Sequence, residues 1–374
     1  AFGVKCAFPL LHSWLQDSYG HATVTGTVFL SAFTTKLAVY ALARGFPSTD
    51  MLIWVGVAMA LFPIFYAIIE NDLRRVLAYI LNAQQGFMVC GVGIGTEMAL
   101  NGAAAHAFVC VLYMALLFMS MGAVLFRAGS INGSELGGLY KSMPWSMAFC
   151  IIGAASVSAF PLTSGFVSKS MIITAAASEG YWVVWAVLLC ASAGVFLTSG
   201  IKVPFLAFFA KDTGKRVKEA PFNMLLAMAA VSTLCLIIGI LPEHLYNILP
   251  FAVDYAPYTT AHVITQLQLL LFSALAFLVL VVTGIYPPAL RSINLDTDWV
   301  YRRFIPRIIN RVISGISTAY ENLVTMAGIK AEWFLRTSLH YTGPHSTLAR
   351  TWEIGSSTLW VMITLAICLL LYYI

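Results

Sequence analysis

Five side chains have the chemistry to carry protons or charge through an apolar interior: Lys5, Lys36, His106, Lys169 and Lys202. A lone charge at membrane depth costs about 3 kcal/mol even on translocon-insertion scales, so such residues normally face a bundle interior or a wet cavity. Lys5 lies in Phe2-Gly-Val-Lys5-Cys-Ala-Phe-Pro9-Leu-Leu-His12-Ser-Trp14-Leu. A proline inside a helix removes one backbone hydrogen bond and clashes with the carbonyl four residues back, here that of Lys5. Broken helices persist in membranes only where protein or water satisfies the freed backbone groups, which is where transporters place their sites. The alternative is that Lys5 snorkels from the end of a short helix. Lys36 sits in the apolar run Leu30-Ser-Ala-Phe-Thr-Thr-Lys36-Leu-Ala-Val-Tyr40, far from any interface.

His106 has apolar and small neighbours on both sides. It is read either as a proton carrier, since an unperturbed imidazole titrates near about pH 6.5, or as a polar contact between helices. Lys169 follows Pro161 in Phe160-Pro-Leu-Thr-Ser164-Gly165-Phe166-Val-Ser168-Lys169, where proline, glycine and hydroxyl residues allow an unwound segment. It could gate a wet path or anchor at the interface. Lys202, just before Pro204, is either a further relay group or an anchor near a cytoplasmic end. Desolvation disfavours the charged form of a buried lysine, so a string of Lys and His suits reversible protonation. Bare metal cations prefer carboxylates and carbonyls, and the apolar runs hold almost no carboxylate, so no metal site is expected.

The elements that position these residues follow from composition. Hydrophobic residues make up 60% of the 374 positions and charged ones 10%, with a mean hydropathy of +0.85. This is an all-α, polytopic membrane helix bundle with broken helices. The seven cysteines (Cys6, Cys90, Cys110, Cys150, Cys190, Cys235, Cys368) are scattered singly and read as small buried hydrophobes. No nucleotide loop, flavin fingerprint or cysteine cluster supports a stand-alone enzyme, and no cofactor is expected. The +5 net charge belongs to membrane flanks, and nucleic-acid binding has no support. The chain opens inside an apolar segment, with neither Met nor a signal-peptide pattern, so an upstream portion is expected to be missing.

At about 20 apolar residues per crossing, the pattern predicts a half-span at 1–14 and spans near 25–43, 51–69, 75–95, 100–126, 146–176, 181–209, 222–248, 264–287 and 355–374. Pro161 and Pro204 mark expected breaks. Loops on alternate sides differ in basic residues. One side carries Arg74, Arg75, Arg127, Lys141, Lys211, Lys215, Arg216, Lys218 and everything from Arg291 to Arg350; the other carries only Arg44, with Asp50, Glu97, Glu179, Glu243 and Asp254. The basic side is cytoplasmic by the positive-inside rule, which places Ile374 opposite.

Residues 291–353 are too polar to span. Val300, Phe304, Ile308, Ile309, Val312, Ile313, Ile316, Tyr320 and Val324 recur mostly at three and four residues, with Arg302, Arg303, Arg307 and Arg311 between them. That is a basic amphipathic helix, with a kink expected at Pro306, lying along the cytoplasmic interface or against neighbouring subunits. The expected organisation is a translocating module at 1–248, a further span at 249–290, a lateral arm at 291–353 and an anchor at 354–374.

Phe2 to Arg44 resembles the proton-translocating module shared by the antiporter-like subunits of respiratory complex I and the D and A subunits of Mrp-type cation/proton antiporters. So does Asn71-Asp72-Leu-Arg74-Arg75-Val-Leu-Ala-Tyr79, similar to the family's Asp-Leu-Lys/Arg-Arg-x-Leu-Ala-Tyr turn. Gly137-Gly138-Leu-Tyr-Lys-Ser-Met143-Pro144 and Pro161-Leu-Thr-Ser-Gly165-Phe166-Val-Ser168-Lys169 complete the set. The final arm and span resemble the lateral helix of the distal complex I subunit and its hydrogenase-linked relatives.

The resemblance implies that Lys5 is the central lysine of a first half-channel, Lys36 and His106 a connecting relay, and Lys169 the terminal group of a second. It implies an ion-translocating subunit of a multisubunit monovalent cation/proton antiporter, with other membrane subunits, lipid, protons and, as a candidate exchanged ion, Na+ as partners, in the cell inner (plasma) membrane. The alternatives are a proton-pumping subunit of complex I or a hydrogenase-type complex, and a structural subunit with a decayed relay. Two departures bear on the last. Where many relatives carry a second His and then a Lys, this chain has Cys110 and Met114, so a hydrated cavity near them is expected, using Tyr113, Cys110 and Ser120 as partners. The glutamate that partners the Lys5 position lies upstream of this chain in the family, so the chain is not expected to translocate alone.

Overall fold

The computed structural model describes residues 1–287, 294, 296–346, 348–349, 351 and 353–373. The expectations placed on Arg291, Arg350 and Ile374 lie outside the described residues. Eight helices among the described residues are long and apolar enough to cross a membrane. The chain is a polytopic helical membrane bundle, and it divides into two units, Ala1–Asp298 and Trp299–Ile374.

In the first unit, α1 (Phe2–Lys5) and α2 (Ser13–His21) flank an interruption. Then come α3 (Val24–Gly45), α4 (Asp50–Ile69), α5 (Leu73–Ile94) and α6 (Glu97–Ala128). A broken pair follows, α7 (Pro144–Val157) and α8 (Ser164–Ser178). The unit closes with α9 (Trp182–Phe209), α10 (Phe222–Ile240), the short α11 (Glu243–Tyr246) and α12 (Thr260–Val282). The run expected as one span at 146–176 is thus two helices.

The centre is α5, whose apolar window is 100% buried. It packs on α4 at backbone distance because glycine leaves room: a Cβ on Gly86 would lie 2.3 Å from the Ala60 nitrogen, and one on Gly56 2.4 Å from the Cys90 nitrogen. Without a hydrophobic drive between helices in lipid, such close approach is what holds neighbours together. It also lets α5 carry Arg74, Asn82, Gln84 and Gln85 with 2% exposure or less. Asp72 starts α5 by accepting from the Arg74 and Arg75 backbone N–H groups at 2.8 and 3.0 Å, satisfying donors that the first turn cannot use internally.

The two interruptions share a tetrapeptide. Ala7-Phe8-Pro9-Leu10 and Ala159-Phe160-Pro161-Leu162 have the same sequence, and in each the Ala and Leu have positive φ: 61° and 71° in the first, 57° and 69° in the second. Left-handed backbone is uncommon for residues other than glycine and costs about 1–2 kcal/mol each, so these segments are held by their surroundings. Trp14 pins the first by donating Nε1–H to the Val4 carbonyl at 2.8 Å. Gly165 permits the second, since a Cβ there would meet the Ser156 carbonyl at 1.8 Å.

Pro204 does not break α9. Flanking π-helical turns at Phe196–Lys202 and Phe205–Phe209 lengthen the local repeat and absorb the donor that proline lacks. Two cysteines depart from the buried reading: Cys190 and Cys368 are exposed, as apolar side chains on a lipid-facing surface would be.

The second unit begins with a π-helical turn, Val300–Phe304, that runs into α13 (Ile305–Thr342), and it ends with α14 (Ile354–Tyr373). Pro306 falls in the first turn of α13, where its missing N–H is not needed. The apolar stripe Ile308, Ile309, Val312, Ile313, Ile316 is exposed along α13.

Candidate functional site: a buried chain of polar side chains

Three crossing helices and the second half of the broken pair converge on His106. This residue of α6 is fully buried. Its Nε2 lies 2.9 Å from Gln84 Oε1 on α5 and its Nδ1 3.0 Å from Ser168 Oγ on α8. An amide oxygen only accepts, so Nε2 carries the proton and Nδ1 receives the Ser168 hydroxyl. Two turns further along α6, the Tyr113 hydroxyl is 3.3 Å from His106 Nε2 and 3.4 Å from Gln84 Oε1.

Lys36 joins from α3. A π-helical turn at Leu30–Thr34 precedes it, and its ammonium donates back to the Ser31 carbonyl at 2.5 Å. The buried Cys110 thiol is an electrostatic neighbour of both this ammonium and the Tyr113 hydroxyl. Met114, one turn beyond, is fully enclosed in the apolar core.

Lys169, 1% exposed, follows Ser168 on α8. Its Nζ donates to the Val157 carbonyl at 2.8 Å, at the end of α7, and lies 5.1 Å from the centre of the Phe87 ring. It lines a cleft of about 320 Å³ with Ser170, Thr174, His262, Thr265 and Gln266. His262 donates Nδ1–H to the Pro257 carbonyl at 2.7 Å.

Two of the expected relay groups stand apart. Lys5, at the end of α1, is exposed on the described surface, whereas burial in the bundle interior was expected of it; α1 is a single turn with no buried residue, so nothing in the described chain covers it. Lys202 is 3% exposed, but its Nζ donates to the carbonyls of Ala67, Ile68 and Glu70 at 2.8, 2.7 and 2.7 Å. These are the end carbonyls of α4, which the helix cannot satisfy itself. All three ammonium donors are thus committed to a helix cap. Lys202→Met would strand them, with a cost of about 3 kcal/mol. The detergent-solubilised variant should melt earlier than wild type while Lys202→Arg stays close to it; an unchanged melting temperature for Lys202→Met would return Lys202 to the relay.

Sequence reasoning missed Gln84, Gln85 and Asn82, although three amides within four residues of an apolar run are a visible signal. Gln85 donates to Thr35 Oγ1 at 2.7 Å. Arg74, read as a loop charge, is buried and donates to the Ala22 carbonyl at 2.7 Å and to Thr27 Oγ1. On the loops, Gly138 lets Asp212 approach, since a Cβ there would meet Asp212 Oδ1 at 2.6 Å. Asp212 accepts from Arg216 at 2.6 Å and Lys141 at 3.0 Å. The Arg216 hydrogen bonds, with those of the Gly214 N–H and Lys141, hold its carboxyl well below the usual range.

Residues 1–198 match the family described as NADH:quinone oxidoreductase/Mrp antiporter, transmembrane. NADH-quinone oxidoreductase subunit N of Desulforudis audaxviator is 34% identical over 201 residues, which are 51% of this chain and 40% of that protein. A Na(+)/H(+) antiporter subunit from Alkalihalophilus pseudofirmus is 30% identical over 258 residues, 66% of this chain and 52% of that one. The chain thus spans about half the length of the curated relatives it matches. A solved structure of the membrane-bound sulfane sulfur reductase, an archaeal respiratory membrane complex, shares the fold with a TM-score of 0.63 and 20% identity, covering 98% of this chain and 66% of that one. With its matched segment taking in both interruptions and every member of the buried polar chain on α3, α5, α6 and α8, this protein belongs to the NADH:quinone oxidoreductase/Mrp antiporter transmembrane family.

Proposed function

We propose that the chain is an ion-translocating subunit of a multisubunit monovalent cation/proton antiporter in the cell inner membrane, passing protons along Lys36, Cys110, Tyr113, His106, Ser168 and Lys169. The observation that carries the reading is the connectivity at His106. Its two ring nitrogens are engaged on opposite sides, by Ser168 at 3.0 Å and Gln84 at 2.9 Å, with the Tyr113 hydroxyl 3.3 Å from Nε2. An imidazole so placed can take a proton at Nδ1 and release one from Nε2. Hydroxyls and the thiol, each able to donate and accept, suit the intervening steps. Lys5 belongs to the same path where other parts of the complex cover it. Other membrane subunits as partners are supported by the relatives, which include both a NADH-quinone oxidoreductase subunit and a Na(+)/H(+) antiporter subunit.

The test is His106→Leu in the complete complex reconstituted in proteoliposomes with a pH-sensitive dye inside. Removing a positioned proton-transfer group typically costs about 10²–10⁴-fold, and the flanking hydroxyls of Ser168 and Tyr113 place this variant near the lower end, about a hundredfold. A variant that assembles and translocates at the wild-type rate would leave the scaffold reading, which the apolar enclosure of Met114 favours.

A further inference from the structure

The first interruption ends on a second buried imidazole that lies outside this path. His12 has no exposed surface. Its Nε2 sits 3.1 and 3.2 Å from the two carboxylate oxygens of Asp296, a residue 284 positions away in sequence and beyond the segment the family match covers. Tyr79 donates its hydroxyl to the same carboxylate at 2.9 Å, and the Thr297 N–H does so at 2.6 Å. An ionised carboxylate only accepts, so His12 must present Nε2–H to it. That leaves Nδ1 as the lone-pair nitrogen. Nδ1 is buried and has no hydrogen-bond partner among the described residues.

An imidazole held by a carboxylate on one nitrogen, with a bare lone pair on the other, is the arrangement of an oriented base. A stranded buried acceptor costs about 1–3 kcal/mol, and this one sits on the residue that closes the unwound segment carrying Pro9. The ring is fixed from the side as well, by the edge of Phe62 at 4.6 Å, while Tyr66 stacks on Tyr79 at 5.4 Å. We propose that His12 is a proton acceptor of the first interruption and that Asp296 is its positioning residue: a proton arriving at Nδ1 gives an imidazolium paired with the carboxylate, and the same Nδ1 gives it up. This rests on the proton-translocating reading above.

The charged and titratable groups around the pair are Tyr79 from α5, Tyr66 from α4, Glu70, Arg75 and Asp298. Arg75 lies 3.7 Å from Glu70 and 3.8 Å from Asp17, and Asn294 donates to Glu70 at 3.2 Å. The cation on that side is therefore already matched by carboxylates, and Asp296 is the group that touches the ring. Burial raises the Asp296 carboxyl, but the hydrogen bond and charge of His12, with the Thr297 N–H and the Tyr79 hydroxyl, bring it below its ordinary value. The carboxylate is thus present at neutral pH and is lost only as pH falls through that lowered range.

The experiment uses the complete complex in proteoliposomes. Asp296→Asn keeps the shape and one acceptor but removes the negative charge beside Nε2. Proton translocation at pH 8 should fall about tenfold, the deficit should shrink as the medium is acidified, and Asp296→Glu should recover most of the rate. Tyr79→Phe removes a donor from the carboxylate, strengthens its hold on the protonated ring and should move the pH profile the opposite way; it decides the matter if Asp296→Asn does not assemble. An Asp296→Asn complex with the wild-type pH profile overturns this inference alone. A wild-type complex that moves no protons removes the proposed function and this inference with it.

Discussion

Lys169→Met should bring proton movement in the reconstituted complex down by about 10⁴-fold while leaving a protein that inserts and assembles. Methionine matches the apolar stem of lysine, so packing against Phe87 is kept, and only the ammonium is lost. The stability cost is confined to one carbonyl, that of Val157, which loses its donor at 2.8 Å, for about 1–3 kcal/mol. The transport cost is larger because of what surrounds the gap. At His106 two hydroxyls flank the missing group and ordered water can join them. At Lys169 the neighbours are an aromatic ring and a backbone carbonyl, neither of which exchanges protons, and the cleft with His262 opens only beyond it. The measurement is dye-reported proton flux against assembly on a native gel. Flux retained in Lys169→Met would make this residue the anchor that its sequence setting also allowed, although its Nζ turns inward to the broken helix.

Those two readings of Lys169 mark where the sequence stops being legible. Apolar run lengths and loop charges are local quantities, and they locate the crossings to within a few residues. Two runs read as one where two helices exist: 146–176, where Pro161 already marks a break, and 222–248, which is Phe222–Ile240 followed by the short Glu243–Tyr246. The repeated Ala-Phe-Pro-Leu at both interruptions is present in the sequence and identifies the two breaks as the same backbone device. What cannot be read is which way a long side chain turns. Lys202 lies near a proline like the relay candidates, yet it commits its donors to α4, more than 130 residues away in sequence. Asp296 is one polar residue in a polar stretch until the fold sets it against His12. Cys110 reads as an apolar replacement because a thiol has no fixed role in a pattern, and only the fold makes it a neighbour of Lys36 and Tyr113.

Met114→Lys has the largest expected effect on folding, and the structure reverses the sequence expectation for it. A hydrated cavity near Cys110 and Met114 would have accommodated the new ammonium. Instead Met114 has no exposed surface and belongs to the apolar core. A lysine there would bury a charge without a partner, in a bundle that already holds Lys36 and Lys169 near His106. A buried, unpaired charge costs several kcal/mol, comparable to the whole stability margin of a typical domain. The variant should therefore fail to accumulate in the membrane, whereas Met114→Leu, close in volume, should cost less than about 1.5 kcal/mol and translocate normally. Expression level and the melting temperature of the solubilised protein measure both. A Met114→Lys protein that accumulates with unchanged melting would mean that water reaches this helix after all. The proton path would then run through the space beside Met114 as well as through the Cys110 thiol, and Cys110→Ala, which otherwise cuts the proposed path between Lys36 and Tyr113, would leave translocation intact.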